Sequence, residues 1–159
     1  MRIIQLIQKP QLRGAEIFAC QLSNHLLDEG HDIQMIALLP GDGVLPFKGK
    51  LTKMNRPLRR RLVDIAGWKQ LANYINEFRP DVVQANAGDT LKFAVLSKSF
   101  FRWKSPVVFR NANMVSEFID SWPKLIFNKF MVRHVRHVIS VSELCRLDFL
   151  STYSLPPER

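Results

Sequence analysis

The sequence predicts an α/β domain built on a doubly wound parallel sheet with helices on both faces. Three observations carry that expectation. Short apolar runs alternate with longer segments of helical period, and the runs, VVQA from Val82 the clearest, are continuously apolar, as strands covered on both faces are. Each run closes on a polar or glycine-containing loop, where open parallel sheets place their ligands.

The organising unit is Arg2 to Leu39. MRIIQLI reads as a strand, Gln8 to Gly14 as a loop, AEIFACQLSNHLLDEG as a helix and HDIQMIALL as the next strand. Ala15, Phe18, Ala19, Leu22 and Leu26 form the expected apolar stripe of that helix, and Gly30 stops it. Gly14 opens the helix and permits close approach of a ligand to backbone. The helix start offers free N–H groups and partial positive charge, so a phosphate or carboxylate suits the loop.

Pro40 to Gly43 mark the following loop, and a short strand is expected near Leu51. Pro57 is read as opening a second helix, with Leu62, Ile65, Ala66, Ala72, Ile75 and Phe78 inward and Trp68 at its edge. Arg59, Arg60 and Arg61 in its first turns oppose the helix dipole, a mismatch an external anion would relieve. Val82 starts the third clear strand, Asn86 to Thr90 form its terminal loop, and Leu91 to Phe101 form a helix with an aromatic and basic tail ending in Arg102, Trp103 and Lys104.

VVF after Pro106 is a further buried strand, with Arg110, Asn111 and Asn113 in the loop at its end. A long helical region from Phe118 to Met131 is expected to bend or restart at Pro123, its apolar arc rimmed by Lys124, Lys129, Arg133 and Arg136. HVIS from His137 reads as the last buried strand, and Ser140 with Glu143 has capping-box spacing for a helix ending near Tyr153. Residues 1–153 are thus expected as one domain and 154–159 as a linker-like tail.

The length suffices for one domain with a core burying roughly 70% of the unfolded chain's surface. The unusual bulk property is a formal charge of +9. It is concentrated in three runs, Lys48 to Arg61, Lys92 to Arg110 and Lys124 to Arg136, which favour an anionic partner: a lipid surface, a phosphorylated substrate or nucleic acid. Cys20 and Cys145 suggest reduced thiols of a cytosolic protein, not a disulfide framework or metal site. His134 and His137 lack a metal-ligand spacing and read as structural. No apolar run reaches the roughly 18 residues of a membrane span, so any membrane contact is expected to be peripheral.

Several chemistries have no counterpart here. The first loop supplies one glycine where a dinucleotide fingerprint needs several, and a P-loop lysine motif, a nucleophile elbow and a paired-histidine metal helix are all lacking. The residues alone leave polar strand-end loops without a self-sufficient catalytic centre. Nucleic-acid binding has charge in its favour but no recognisable motif.

RGAE at Arg13 to Glu16, LLDEGHDIQMIAL, RPDVVQANAG from Arg79 and HVISVSELCRLDFL from His137 resemble, in order and spacing, the amino-terminal half of a family-four glycosyltransferase of the GT-B type. The resemblance implies two Rossmann-like halves facing across a cleft. The amino-terminal half binds the acceptor, and a carboxyl-terminal half beyond this chain binds the nucleotide-sugar donor and carries a glutamate pair. A retaining transfer to a lipid-linked or polysaccharide acceptor is then expected, on the cytoplasmic side and peripheral to the inner membrane face, with this half inactive alone. The nucleotide sugar is a co-substrate, and neither a cofactor nor a metal is expected. The alternative is a non-catalytic binding module for an anionic or phosphorylated ligand.

By position, the resemblance assigns Arg13, Gly14 and Glu16 to the loop near the donor phosphates, with Arg13 standing where the family usually has a second glycine. Asn86, Gly88, Asp89, Arg110, Asn111 and Asn113 are assigned to the acceptor. Gln84 and Asn86 replace histidines frequent in the family, which favours hydroxyl binding over proton transfer. Arg110 can hold a phosphate by a forked contact. No catalytic residue is assigned, although Asp89 and Glu117 are the carboxylates available as a base. Arg59, Arg60, Arg61, Arg102, Trp103 and Lys104 are the expected membrane or anion surface, and no specific nucleic acid is expected.

Overall fold

A computed structural model describes residues 1–57 and 63–155. Its strands are β1 (Arg2–Ile7), β2 (Asp32–Ala37), β3 (Lys50–Lys53), β4 (Val82–Ala85), β5 (Val107–Asn111) and β6 (His137–Ser140). The helices are α1 (Gly14–Asp28), α2 (Ile65–Phe78), α3 (Gly88–Phe101), α4 (Trp122–Arg133) and α5 (Glu143–Tyr153), with a 3-10 turn at Val115–Phe118. Arg59, Arg60, Arg61 and Leu62 lie outside the described residues, as do the last four of the expected tail.

All pairings are parallel, in the order β3-β2-β1-β4-β5-β6. The chain winds outward from β1 to β3, returns to lay β4 beside β1, and winds outward the other way. Loops leaving β1 and β4 therefore diverge, which opens a crevice at their carboxyl ends. Successive residues of β1 alternate between two cores. Ile4 and Leu6 join the larger one with α2, α3 and α4, whereas Ile7 joins Met35, Ala37, Ala19 and Cys20 under α1.

The buried face of α1 is rotated from the expected stripe. Glu16, Ala19, Cys20 and Ser23 face the sheet, and Phe18 is 38% exposed. Small side chains let the helix lie close on the strands, which leaves its bulkier apolar residues at the margin. In α2 the expectation fails at the start: Asp64, not Pro57, begins the helix, accepting a hydrogen bond from the Gly67 N–H at 3.0 Å. Ile65 and Ala66, in the first turn, face outward, and Trp68 is buried in the core, not at the edge.

Trp103 corrects a functional expectation. Arg102 takes a left-handed conformation at φ 54° and turns the chain back, so Trp103 is 4% exposed. Its indole N–H donates to Ser97 Oγ at 3.0 Å, and Ser97 Oγ donates to the Trp68 carbonyl at 2.7 Å. Trp103 therefore joins α2 to α3 and is not part of any surface; Arg102 and Lys104 are exposed.

Pro123 sits in the first turn of α4 and begins a new helix, where its missing N–H costs nothing. Ser142, not Ser140, caps α5, accepting from the Cys145 N–H at 3.2 Å, because Ser140 still belongs to β6. As the last strand in the order, β6 is half-exposed and not buried as expected.

Candidate functional site: the cleft at the strand ends

Arg13 precedes α1 in extended conformation and is exposed, and no side chain caps the helix. The first N–H groups of α1 thus lack a side-chain partner at their open end. Glu16, 3% exposed, accepts from Gln11 Nε2 at 3.0 Å and braces the loop from inside. Gln8 Nε2 donates to Asp89 Oδ2 at 2.7 Å, which ties the loop after β1 to the start of α3. There Thr90 Oγ1 accepts from the Ala87 N–H at 2.9 Å, so Gly88 opens the helix in a fixed orientation. A Cβ placed on Gly14 or Gly88 meets no atom within 4 Å. Packing does not demand glycine at either position, and both helix starts border open space.

That space is a cleft of about 680 Å³. Gly14, Asn86, Gly88, Asp89, Arg110, Asn111 and Asn113 line it, so the fold brings together residues at or just beyond the carboxyl ends of β1, β4 and β5. Arg13 and Glu16 flank Gly14 in sequence but are not on its wall, and Glu117 is likewise outside the lining.

The amides divide by environment. Asn86 is 2% exposed; its Nδ2 donates to Gln5 Oε1 at 2.9 Å and to the Leu6 carbonyl at 3.1 Å, while its Oδ1 accepts from Gln84 Nε2 at 3.0 Å. Asn111, 1% exposed, donates to the Cys145 carbonyl at 3.2 Å and joins β5 to α5. Both stiffen the wall. Asn113 is exposed at the rim of the cleft.

Arg110 lies within β5, not in the loop expected after it, and is 9% exposed. Its guanidinium carbon stands 4.1 Å from the centroid of the Phe18 ring on α1. Nε and Nη1 are buried without a hydrogen-bond partner among the described residues. Burial pushes the Arg110 pKa down from its ordinary value, but an arginine stays charged. The cleft can therefore accept oxygen-rich, negatively charged groups, through N–H donors of two helix starts and one buried cation. Among the described residues, no cluster of three or more His, Cys, Asp or Glu side chains could hold a metal ion.

A model of Glycosyltransferase Family 4 matches residues 12–159, nearly the whole chain. The chain belongs to glycosyltransferase family 4. No curated protein matches the sequence significantly. Among solved structures, Anabaena HepE in complex with UDP and glucose superposes with a TM-score of 0.74 at 18% identity, covering 99% of this chain and 42% of HepE. The lipopolysaccharide outer core galactosyltransferase WaaB, in its apo form, gives 0.69 at 11% identity over 99% and 44%. UDP-GlcNAc 2-epimerase from Neisseria meningitidis bound to UDP-GlcNAc gives 0.57 at 13% identity, again over 99% and 44%. These likenesses show a Rossmann-like fold that matches one half of GT-B structures, and the chain spans less than half the length of these neighbours.

Within this glycosyltransferase domain several cleft residues carried no sequence signal. Lys92 and Lys124 belonged only to basic runs, and Asn128 and Tyr153 to helical patterns, yet all four line the cleft. Phe18 was placed in the core by its apolarity. Arg102 and Lys104 follow the carboxyl end of α3, about 20 Å along the helix from the cleft that its amino end borders. They are not part of this site, and Arg59, Arg60 and Arg61 fall outside the described residues.

Proposed function

We propose that this chain is the acceptor-binding half of a retaining glycosyltransferase that moves a sugar from a nucleotide-sugar donor to a lipid-linked or polysaccharide acceptor. The observation that carries the reading is the cleft, with two helix starts and Arg110 converging where the sheet reverses its winding. Such a wall favours an oxocarbenium-like transfer by stabilising departing negative charge without supplying a strong base. Asn86 and Gln84 supply no titrating group near neutrality, and Asp89 is the one carboxylate on the cleft wall among the described residues. In a retaining transfer Asp89 orients the acceptor hydroxyl and does not act as a nucleophile.

The donor half, with its glutamate pair, belongs to the rest of a two-domain enzyme. A transfer assay with nucleotide sugars, run on the 159-residue chain and on the native protein that contains it, tests the division. Transfer with retained anomeric configuration is expected only from the native protein. Robust transfer by the 159-residue chain, or an inverted product, overturns the reading.

A peripheral membrane site is part of the same proposal. Trp122, Ile126 and Phe130 recur four residues apart on α4 and are 73%, 45% and 43% exposed, beside Lys124, Lys129 and Arg133. No helix among the described residues is long and apolar enough to cross a membrane. Vesicle co-sedimentation should rise with anionic lipid and fall with salt. Equal binding to neutral vesicles would count against the proposed electrostatic contact.

A further inference from the structure

We propose that Arg110, held by Phe18, is the receptor for an anionic group of a substrate, a phosphate or a carboxylate, in the wall of the cleft. The proposal rests on the transferase reading only in calling the ligand a substrate. Arg56 is also largely buried, and both prongs of its guanidinium meet Asp64, Nε to Oδ2 and Nη2 to Oδ1, each at 2.7 Å. Where the fold buries an arginine for structure, it supplies the carboxylate. At Arg110 it supplies none: Nε and Nη1 are sealed from solvent without a partner among the described residues.

An unpaired buried cation lowers the stability of the free chain, and a ligand anion relieves that penalty. The neighbours do not satisfy it. Asn86 and Asn111 are committed to Gln5, Leu6 and Cys145, and Asp89 takes its hydrogen bond from Gln8. Lys92 and the amino ends of α1 and α3 add positive charge to the same cleft, whereas Lys124 is paired with Asp120 at 3.1 Å.

Phe18 shapes the selectivity. The guanidinium carbon stands over its ring at 4.1 Å, so that side is closed to a ligand and the N–H groups turned away from the ring are the donors. Two oxygens of one phosphate or carboxylate match such a pair of donors, whereas a neutral hydroxyl cannot accept from both prongs equally. Because Nε and Nη1 are sealed, full engagement requires a covering side chain to shift. Phe18, on α1 and 38% exposed, is the one placed to do so. Anion binding is therefore coupled to a change at the Phe18 ring.

The 159-residue chain should be titrated with inorganic phosphate, uridine diphosphate and glucuronate at constant ionic strength. Affinity is read by calorimetry, and Phe18 by fluorine NMR of 4-fluorophenylalanine-labelled protein, its signal assigned with F18L. At least one anion should bind saturably and shift the Phe18 signal, with affinity roughly tenfold or more lower in R110Q and F18L intermediate. Without anion, R110Q should melt above the parent chain, a gain that a merely structural arginine would not give. Tightest Arg110-dependent binding of uridine diphosphate assigns the anion to the donor's leaving group, and that of glucuronate to an acidic acceptor; both support the proposal. Undiminished affinity in folded R110Q, or no saturable binding of any of the three, overturns it. Should R110Q not fold, equal affinity of F18L and the parent with no change at Phe18 overturns it as well. None of these readouts involves sugar transfer, so the two proposals can fail separately.

Discussion

Asp64 grips Arg56 with both carboxylate oxygens at 2.7 Å while its Oδ1 also caps α2 through the Gly67 N–H. One side chain thus joins the strap after β3 to the start of a core helix, at 3% exposure. The hydrogen bonds that Arg56 donates to Asp64, more than the charge of Asp64 alone, raise the Arg56 pKa. Asp64→Ala removes the cap and strands a largely buried cation, and should cost about 3 kcal/mol. Asp64→Asn keeps a capping oxygen and should fall between it and the parent. Urea unfolding measures the order; an alanine variant within about 0.5 kcal/mol of the parent, the range of ordinary surface changes, would show that the pair contributes nothing.

The glycines of the cleft should separate binding from folding. Gly14→Ala and Gly88→Ala add a methyl where no atom lies within 4 Å, in helices that alanine favours. Their melting temperatures should match or exceed the parent's, by up to about 1 kcal/mol of stability. Phosphate or nucleotide-sugar binding should weaken, because the methyl occupies the approach to the helix N–H groups. Gly41→Ala is the contrasting case, since its Cβ would stand 2.6 Å from the Pro10 carbonyl oxygen and must displace a loop. If Gly14→Ala and Gly88→Ala leave ligand affinity unchanged, neither helix start touches the ligand.

How much of this was legible follows from which signals are local. Continuous apolar runs, glycine and proline breaks and their order predicted the strands and the parallel, doubly wound sheet, and the polar loops at the strand ends pointed to the side of the sheet where the cleft lies. Helix faces were less legible: apolarity selected Phe18 for the core, whereas close packing on the sheet selected Ala19, Cys20 and Ser23. The cap of α2 was missed because proline at 57 is a local signal and the Arg56 fork on Asp64 is a tertiary one. Trp103 reads as a membrane anchor beside Arg102 and Lys104, and only the left-handed turn at Arg102 buries it. The cleft residues came from family likeness and strand-end position. Their division into structural amides and an unpaired cation depended on hydrogen bonds that no sequence displays.

Trp103 itself gives the third expectation. Trp103→Ala should cost about 3 to 5 kcal/mol as a large-to-small core change. Trp103→Phe retains most of the volume but leaves Ser97 without the indole donor, and should cost less. In folded Trp103→Phe, vesicle binding should equal the parent's, and the emission shift on adding anionic vesicles should persist, carried by exposed Trp122. Loss of lipid binding in that variant would restore Trp103 to the surface.

Tyr153 supplies a pH dependence with a definite sign. Burial, with a smaller contribution from the Asp148 charge, raises its phenol from 10.0 to about 12. The folded chain then holds the proton more tightly than the unfolded chain, so this contribution is complete below pH 10 and is lost as pH rises through about 12. Stability should accordingly fall across that window, in step with a tyrosinate absorbance change that arrives late. Tyr153→Phe removes the titrating group and keeps the edge contact with Phe149, whose ring centroid lies 4.8 Å away. Its denaturation midpoint should decline less steeply between pH 10 and 12 than the parent's, and identical slopes would assign the alkaline loss to other groups. Because Tyr153 lines the cleft, a bound anion should push its ionisation later still, through like-charge repulsion of the phenolate.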